Sequence, residues 1–259
     1  MQVDDDNSDS MLASWQVPSI ERMQTHLDEL AGQCQVTKRA LSALETGMFS
    51  DELQGAESIH DIDIPLDQLA LLAWLARHCT TPLSLEAGFG MGITTSIMLS
   101  ARAAAGKPFN HLAFDPFGLG ENRGELVEQF LQRQFGDRFS RIRERSQFGI
   151  ANLAAAGGPN QCGLVYIDGD HSFEGALSDF YVADKLLTIG GFIVFDDGSY
   201  PAIETVVGYI KHNRKDYEVS HLEVTNTSVI KKISLDHRRW DHFRPFHVPD
   251  RNDWTTAPF

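Results

Sequence analysis

Five polar residues at the ends of two apolar runs carry the chemistry this sequence could do. Asp168, Asp170 and His171 close the run Gly163-Leu-Val-Tyr-Ile-Asp-Gly-Asp-His-Ser172, and Asp196 and Asp197 close Gly190-Gly-Phe-Ile-Val-Phe-Asp-Asp-Gly198. If the runs are neighbouring parallel strands, up to four carboxylates meet in one small region. Such crowding is costly unless a proton or a cation compensates it. An oxygen-rich set without cysteine suits Mg2+ or a similar hard divalent ion rather than structural zinc. His171, with an ordinary pKa near neutrality, could remove a proton beside it. Asp170 reads instead as a cap for the helix that follows.

A second constellation is the stretch Leu83-Ser-Leu-Glu-Ala-Gly-Phe-Gly-Met-Gly-Ile-Thr-Thr95. An apolar run ends in an acid, then Gly88, Gly90 and Gly92 alternate before a helix-forming segment. Glycines so placed let the chain turn sharply after a strand and lie close against a ligand. The N–H groups at the start of the next helix are free for an anionic ligand group. A dinucleotide loop of the form G-x-G-x-x-G does not fit, because Ile93 stands where its third glycine is required.

The elements that must position these residues alternate. Strands are expected at 83–87, 110–115, 139–144, 163–168 and 191–197, and helices at 93–105, 122–135, 147–156, 172–188 and 202–213. This period argues for a doubly wound, mostly parallel sheet covered on both faces. Tyr217–Val224 and Thr227–Ile233, joined by a tight turn at Thr225-Asn226, read as an antiparallel hairpin closing it. Upstream, Ile20, Met23, Leu27, Leu30 and Cys34 recur at helical spacing, and Ala40, Leu41 and Leu44 suggest a second short helix. The segment from Phe49 to Ile64 is polar and expected to be a loop. Pro65 opens an apolar helix running to His78. The division expected is a disordered tail over 1–15, a helical cap over 16–64, a main domain over 65–235 and an aromatic tail over 236–259.

The chain has 259 residues, 42% hydrophobic and 22% charged, with a net charge of −14. That size suits one α/β domain with an appendage. The acidic balance argues against non-specific nucleic-acid binding. No apolar run approaches a membrane span, and the acidic N-terminus is unlike a signal peptide. Cys34, Cys79 and Cys162 lack metal-type spacing and read as reduced thiols of a cytoplasmic protein. Trp240, Phe243, Phe246, Trp254 and Phe259 lie outside any periodic pattern, so the tail is expected to cover the acceptor site or a homo-oligomer interface.

The acid followed by G-x-G-x-G resembles the first motif of the class I S-adenosylmethionine-dependent methyltransferases, with a resemblance over roughly residues 64–235. It implies their Rossmann-like seven-stranded sheet. It assigns Glu86, Gly88, Gly90 and Gly92 to the cofactor loop, Thr94 to the methionine carboxylate, and Asp115 to the ribose hydroxyls. Ser146 and Gln147 fall where that family contacts adenine. The phrases Ile-Asp-Gly-Asp-His-Ser-Phe-Glu and Gly-Gly-Phe-Ile-Val-Phe-Asp-Asp further resemble the metal-dependent O-methyltransferases of the branch containing macrocin O-methyltransferase. That resemblance implies Asp168, Asp196 and Asp197 as ligands of Mg2+ or a similar ion, and His171 as the base. It also implies a small hydroxylated acceptor, a sugar or a catechol-like ring. The chain departs from the pattern at Asp196-Asp197, where catechol enzymes have Asp-Asn and the macrocin type often Glu-Asp. A metal-independent N- or O-methyltransferase, a nicotinamide-dependent oxidoreductase and a non-catalytic cofactor-binding scaffold are the alternatives.

Overall fold

The computed structural model describes residues 17–59, 62–116 and 123–246. Its first elements are α1 (Ile20–Gln33), α2 (Gln35–Thr46), the strands β1 (Met48–Asp51) and β2 (Gly55–Ser58), and α3 (Leu66–His78). The alternating part follows as β3 (Leu83–Ala87), α4 (Ile93–Ala104), β4 (Asn110–Phe114), α5 (Glu125–Phe135), β5 (Phe139–Ile142), α6 (Ser146–Gly157), β6 (Cys162–Ile167), α7 (Phe173–Leu186), β7 (Leu187–Phe195) and α8 (Pro201–Asn213). The strands β8 (Tyr217–Leu222) and β9 (Thr227–Lys232) end the described fold. The seven-stranded sheet runs β5-β4-β3-β6-β7-β9-β8, parallel throughout except for β9, which is antiparallel to both its neighbours.

Strand periodicity sorts side chains between two cores. Along β6, Leu164 and Tyr166 join a cluster with α1 to α5, whereas Cys162, Val165 and Ile167 join one with α7 and α8. In α3 every residue from Gln68 to Ala73, and then Leu75 and Ala76, is buried. This helix is apolar on nearly all sides because α1 and α4 both pack against it. Helices α1 and α2 therefore form an outer layer on α3 and α4.

Three expectations are corrected. The segment expected to be a loop contains the β1–β2 hairpin, whose four-residue strands are too short to show a period; Phe49 is its buried anchor. Glu57 of that hairpin caps α5, accepting from Gly124 N (2.7 Å) and Leu126 N (3.2 Å). The strand expected from residue 191 begins at Leu187, directly after α7, which ends at Leu186. The turn between β8 and β9 is a 3-10 turn, Glu223–Thr225, followed by Asn226 in the left-handed region. The expectation for residues 1–15 lies outside the described residues, as do Trp254 and Phe259. The described tail lies on α8, where Asn213 Nδ2 donates to Arg244 O and Phe246 stacks on His212. Trp240 is 95% exposed.

Asp179 of α7 is wholly buried near the start of α6, and its Oδ1 finds no hydrogen-bond partner among the described residues. Burial pushes its pKa up to about 7, with Ser146 acting in the opposite sense. A carboxyl whose pKa is raised by folding stabilises the fold below its unfolded pKa, and this is lost as pH rises through the folded value. The wild type should therefore lose stability between about pH 4 and pH 7. Asp179→Asn removes the titration and is expected to stabilise the fold at pH 8 by on the order of a few kcal/mol. Thermal melts at pH 8 and pH 4.5 check this; a variant melting no higher than wild type at pH 8 would contradict it.

Candidate active site

Strand order reverses at β3, which has β4 on one side and β6 on the other, and the cleft opens at the carboxyl ends of these strands. It has a volume of about 270 Å³, and its lining includes the loop from Gly88 to Thr94, Asp115 and Asp168. The three loop glycines all have positive φ, and they serve different ends. A Cβ on Gly88 would lie 2.0 Å from Asp168 O, and one on Gly92 would lie 2.5 Å from the Phe89 ring, so packing demands both glycines. A Cβ on Gly90 would meet nothing within 4 Å; here the backbone faces open space, where a ligand can approach it closely.

Behind the loop, Glu86 is wholly buried and accepts from the hydroxyls of Thr94 and Thr95, with His111 Nε2 3.1 Å away. Glu86 is thus absent from the cleft lining and ties the start of α4 to the end of β3. Thr94 lines the cleft while its hydroxyl is given to Glu86. Asp115 Oδ2 accepts from Phe89 N (3.1 Å) and Gly90 N (2.8 Å), with Arg141 Nη2 at 3.5 Å. Asp115 therefore braces the glycine loop from inside the cleft. Ser146 and Gln147 open α6 and are not among the cleft-lining residues; Gln147 Nε2 lies 3.4 Å from Asp179 Oδ2.

The acids and the histidine do come together. His171 Nε2 lies 3.4 Å from Asp168 Oδ1, and its Nδ1 lies 3.3 Å from Asp197 Oδ2. The edge of Tyr200 meets the imidazole at 5.7 Å between centroids. Contact with Asp168 raises the His171 pKa against the opposing effect of burial. Burial pushes Asp168 up to about 7, His171 draws it down, and Asp196 pushes it up again. Burial and then Asp196 also raise Asp197. Asp170 stands apart: it accepts from Ser172 N at 3.0 Å, which holds its carboxyl low, and Ser172 caps α7 through Gly175 N. Asp170 is a cap.

Residues with no assigned role in the sequence complete the site. Gln68 Nε2 donates to Tyr166 OH (2.7 Å) and Asp196 Oδ1 (2.8 Å), and Tyr166 OH lies 3.3 Å from Asp168 Oδ2. Ile62, Asp63 and Ile64 line the cleft, so the N-terminal region reaches it through this segment. Tyr166 had a signal, two residues before Asp168 on one strand face. Gln68 had a fainter one, as a lone amide in an apolar helix.

Three carboxylates stand at adjoining strand ends, and two of them, Asp168 and Asp197, flank His171. Their oxygen chemistry fits a hard divalent ion. Among the described residues, no three His, Cys, Asp or Glu side chains converge in a ligating arrangement.

The seven-stranded order and the cleft define the Rossmann-like α/β fold of methyltransferases, and residues 85–198 match the model of a methyltransferase domain. Protein R132 of Acanthamoeba polyphaga mimivirus, itself uncharacterized, is 31% identical over 83 residues, 28% of this chain and 38% of that protein. The match thus spans well under half the length of that relative. Among solved structures, the O-methyltransferase TomG of Streptomyces achromogenes, involved in tomaymycin synthesis and bound to S-adenosylmethionine, superposes with a TM-score of 0.56. Identity is 16%, over 84% of this chain and 100% of that one. Cofactor-bound Rv0187 from MTB superposes at 0.58, with 19% identity over 84% and 99%. Among the described residues, no helix is long and apolar enough to cross a membrane.

Proposed function

We propose that this chain is an S-adenosylmethionine-dependent O-methyltransferase acting on a hydroxyl of a small molecule, a sugar or a catechol-like ring. The observation that carries the reading is a shared wall: Asp168 lines the glycine-loop cleft and also touches His171. A cofactor in the cleft therefore lies beside a proton acceptor. The methyltransferase-domain match over residues 85–198 supports this reading over a nicotinamide oxidoreductase. That TomG is an O-methyltransferase is in keeping with oxygen as the accepting atom.

S-adenosylmethionine, when bound, supplies a methyl group already electrophilic on its sulfonium. The open backbone at Gly90 lets it lie close, and the start of α4 offers free N–H groups to its carboxylate. Asp115 would accept from the ribose diol, and the adenine end would extend toward the start of α6, where Ser146 and Gln147 stand outside the cleft lining. His171 would take the acceptor's proton; because Asp168 favours its charged form, the basic form is reached at a higher pH than in an ordinary imidazole. Asp168, Asp196 and Asp197 would hold Mg2+ or a similar ion, which when bound lowers the pKa of a coordinated hydroxyl. A second reading, methyl transfer without a metal, is favoured by one observation: the imidazole already stands between Asp168 and Asp197.

The test is methyl transfer from labelled S-adenosylmethionine to a panel of catechols, vicinal sugar diols and the corresponding amines, with and without EDTA. Turnover that EDTA abolishes and Mg2+ restores supports the metal reading. Full turnover in EDTA selects the metal-free one, and labelling confined to amine acceptors would contradict O-methylation. A homo-oligomer is proposed as well, on the exposed Phe148, Tyr181, Trp240 and Phe243. Light scattering of a monomer would remove it.

A further inference from the structure

In the acid cluster, two of the carboxylates divide their oxygens in the same way. Asp168 gives Oδ2 to Tyr166 and has Oδ1 3.4 Å from His171 Nε2. Asp197 gives Oδ1 to Asn226 Nδ2 at 3.2 Å and has Oδ2 3.3 Å from His171 Nδ1. One oxygen of each is thus fixed by a neutral donor and the other is presented to the imidazole.

Asn226 does more than donate once. Its side-chain Oδ1 accepts from Ser199 N (2.9 Å) and its backbone O accepts from Gly198 N (2.6 Å). Three bonds thus tie the turn after β7 to the turn between β8 and β9. The seat is tight, since a Cβ on Gly198 would lie 2.9 Å from Ser228 Oγ and 3.0 Å from the His221 ring. Asp197 has φ +50, a left-handed conformation that aspartate, like asparagine, adopts more readily than most residues when its side chain is hydrogen-bonded locally. Asn226 itself has φ +49, which asparagine tolerates. The position calls for a donor toward the carboxylate, an acceptor for a backbone N–H, and ease in the left-handed region. Asparagine meets all three requirements.

We propose that Asn226 is a positioning residue of this site: it holds Asp197 in its left-handed conformation and sets which carboxylate oxygen faces His171. The last hairpin then both completes the sheet and clamps one of the three acids. The proposal rests on reading the acid cluster as the reaction centre.

The test is Asn226→Gly, which keeps the left-handed backbone and removes both side-chain bonds. Crystal structures of wild type and variant are expected to show the Asp197 carboxylate turned away from His171 in the variant. Titration with Mn2+ is expected to show affinity falling by about tenfold or more. The melting temperature and S-adenosylhomocysteine affinity should change little, whereas a merely structural role would move both. Should the glycine variant fail to fold, Asn226→Asp keeps the acceptor for Ser199 N and replaces the donor with an oxygen, and is expected to drive Asp197 off His171. A folded variant in which Asp197 keeps its conformation and stays against the histidine overturns the proposal. If wild type binds no Mn2+, the metal reading fails, and the crystallographic comparison alone decides the role of Asn226.

Discussion

Asp196→Ala and Asp197→Ala are each expected to cut methyl transfer by on the order of 10³ while leaving S-adenosylhomocysteine affinity largely unchanged. Asp196 and Asp197 follow directly on β7, whereas the cleft proposed for the cofactor is lined by the β3–α4 loop and Asp115. Removing Asp196 leaves the Gln68–Tyr166 bond intact, so the surrounding packing survives. Removing Asp197 takes away one of the two carboxylates flanking His171. Turnover and calorimetry measured together separate these effects. A cofactor affinity that falls in step with turnover would mean that the acids support the fold of the cleft rather than the reaction.

The second large effect belongs to His171. His171→Ala is expected to lower turnover by about 10²–10⁴, with cofactor affinity little moved. Contact with Asp168 raises the wild-type histidine's pKa, so its basic form gains population at a higher pH than that of an ordinary imidazole. The rate should therefore climb through that pH range and flatten, and the variant should lose this limb. The same sign governs stability: a group whose pKa folding raises helps the fold below its unfolded value, and that help fades as pH rises through the folded value. A near-wild-type rate for His171→Ala at saturating substrate would remove the histidine from the chemistry and leave the acids in place.

The alternation of apolar runs with helical spacing was enough to read the parallel core, because buried strands and amphipathic helices have different periods. It placed Asp168, His171, Asp196 and Asp197 at neighbouring strand ends, where the structure has them. The β1–β2 hairpin escaped because four residues cannot establish a period. Glu86 read as part of the cofactor loop by its place in the motif, yet its carboxylate is spent on Thr94, Thr95 and His111. Motif position tells which loop a residue belongs to, and side-chain direction decides what it touches. Gln68 and Asn226 act over 128 and 29 residues of sequence separation, a distance at which spacing carries no signal.

The most direct test of cofactor binding at the glycine loop is calorimetric titration of S-adenosylhomocysteine into wild type and Asp115→Ala. Asp115 lines the cleft and braces Phe89 N and Gly90 N, so its removal loosens the loop and takes away the proposed ribose acceptor together. Charge-assisted hydrogen bonds of this kind contribute roughly 1.5–3 kcal/mol. Saturable one-site binding to wild type is expected, with an affinity about 10- to 100-fold weaker in the variant. Absence of binding to wild type, or equal affinity in the two proteins, would contradict the assignment of this cleft to the cofactor.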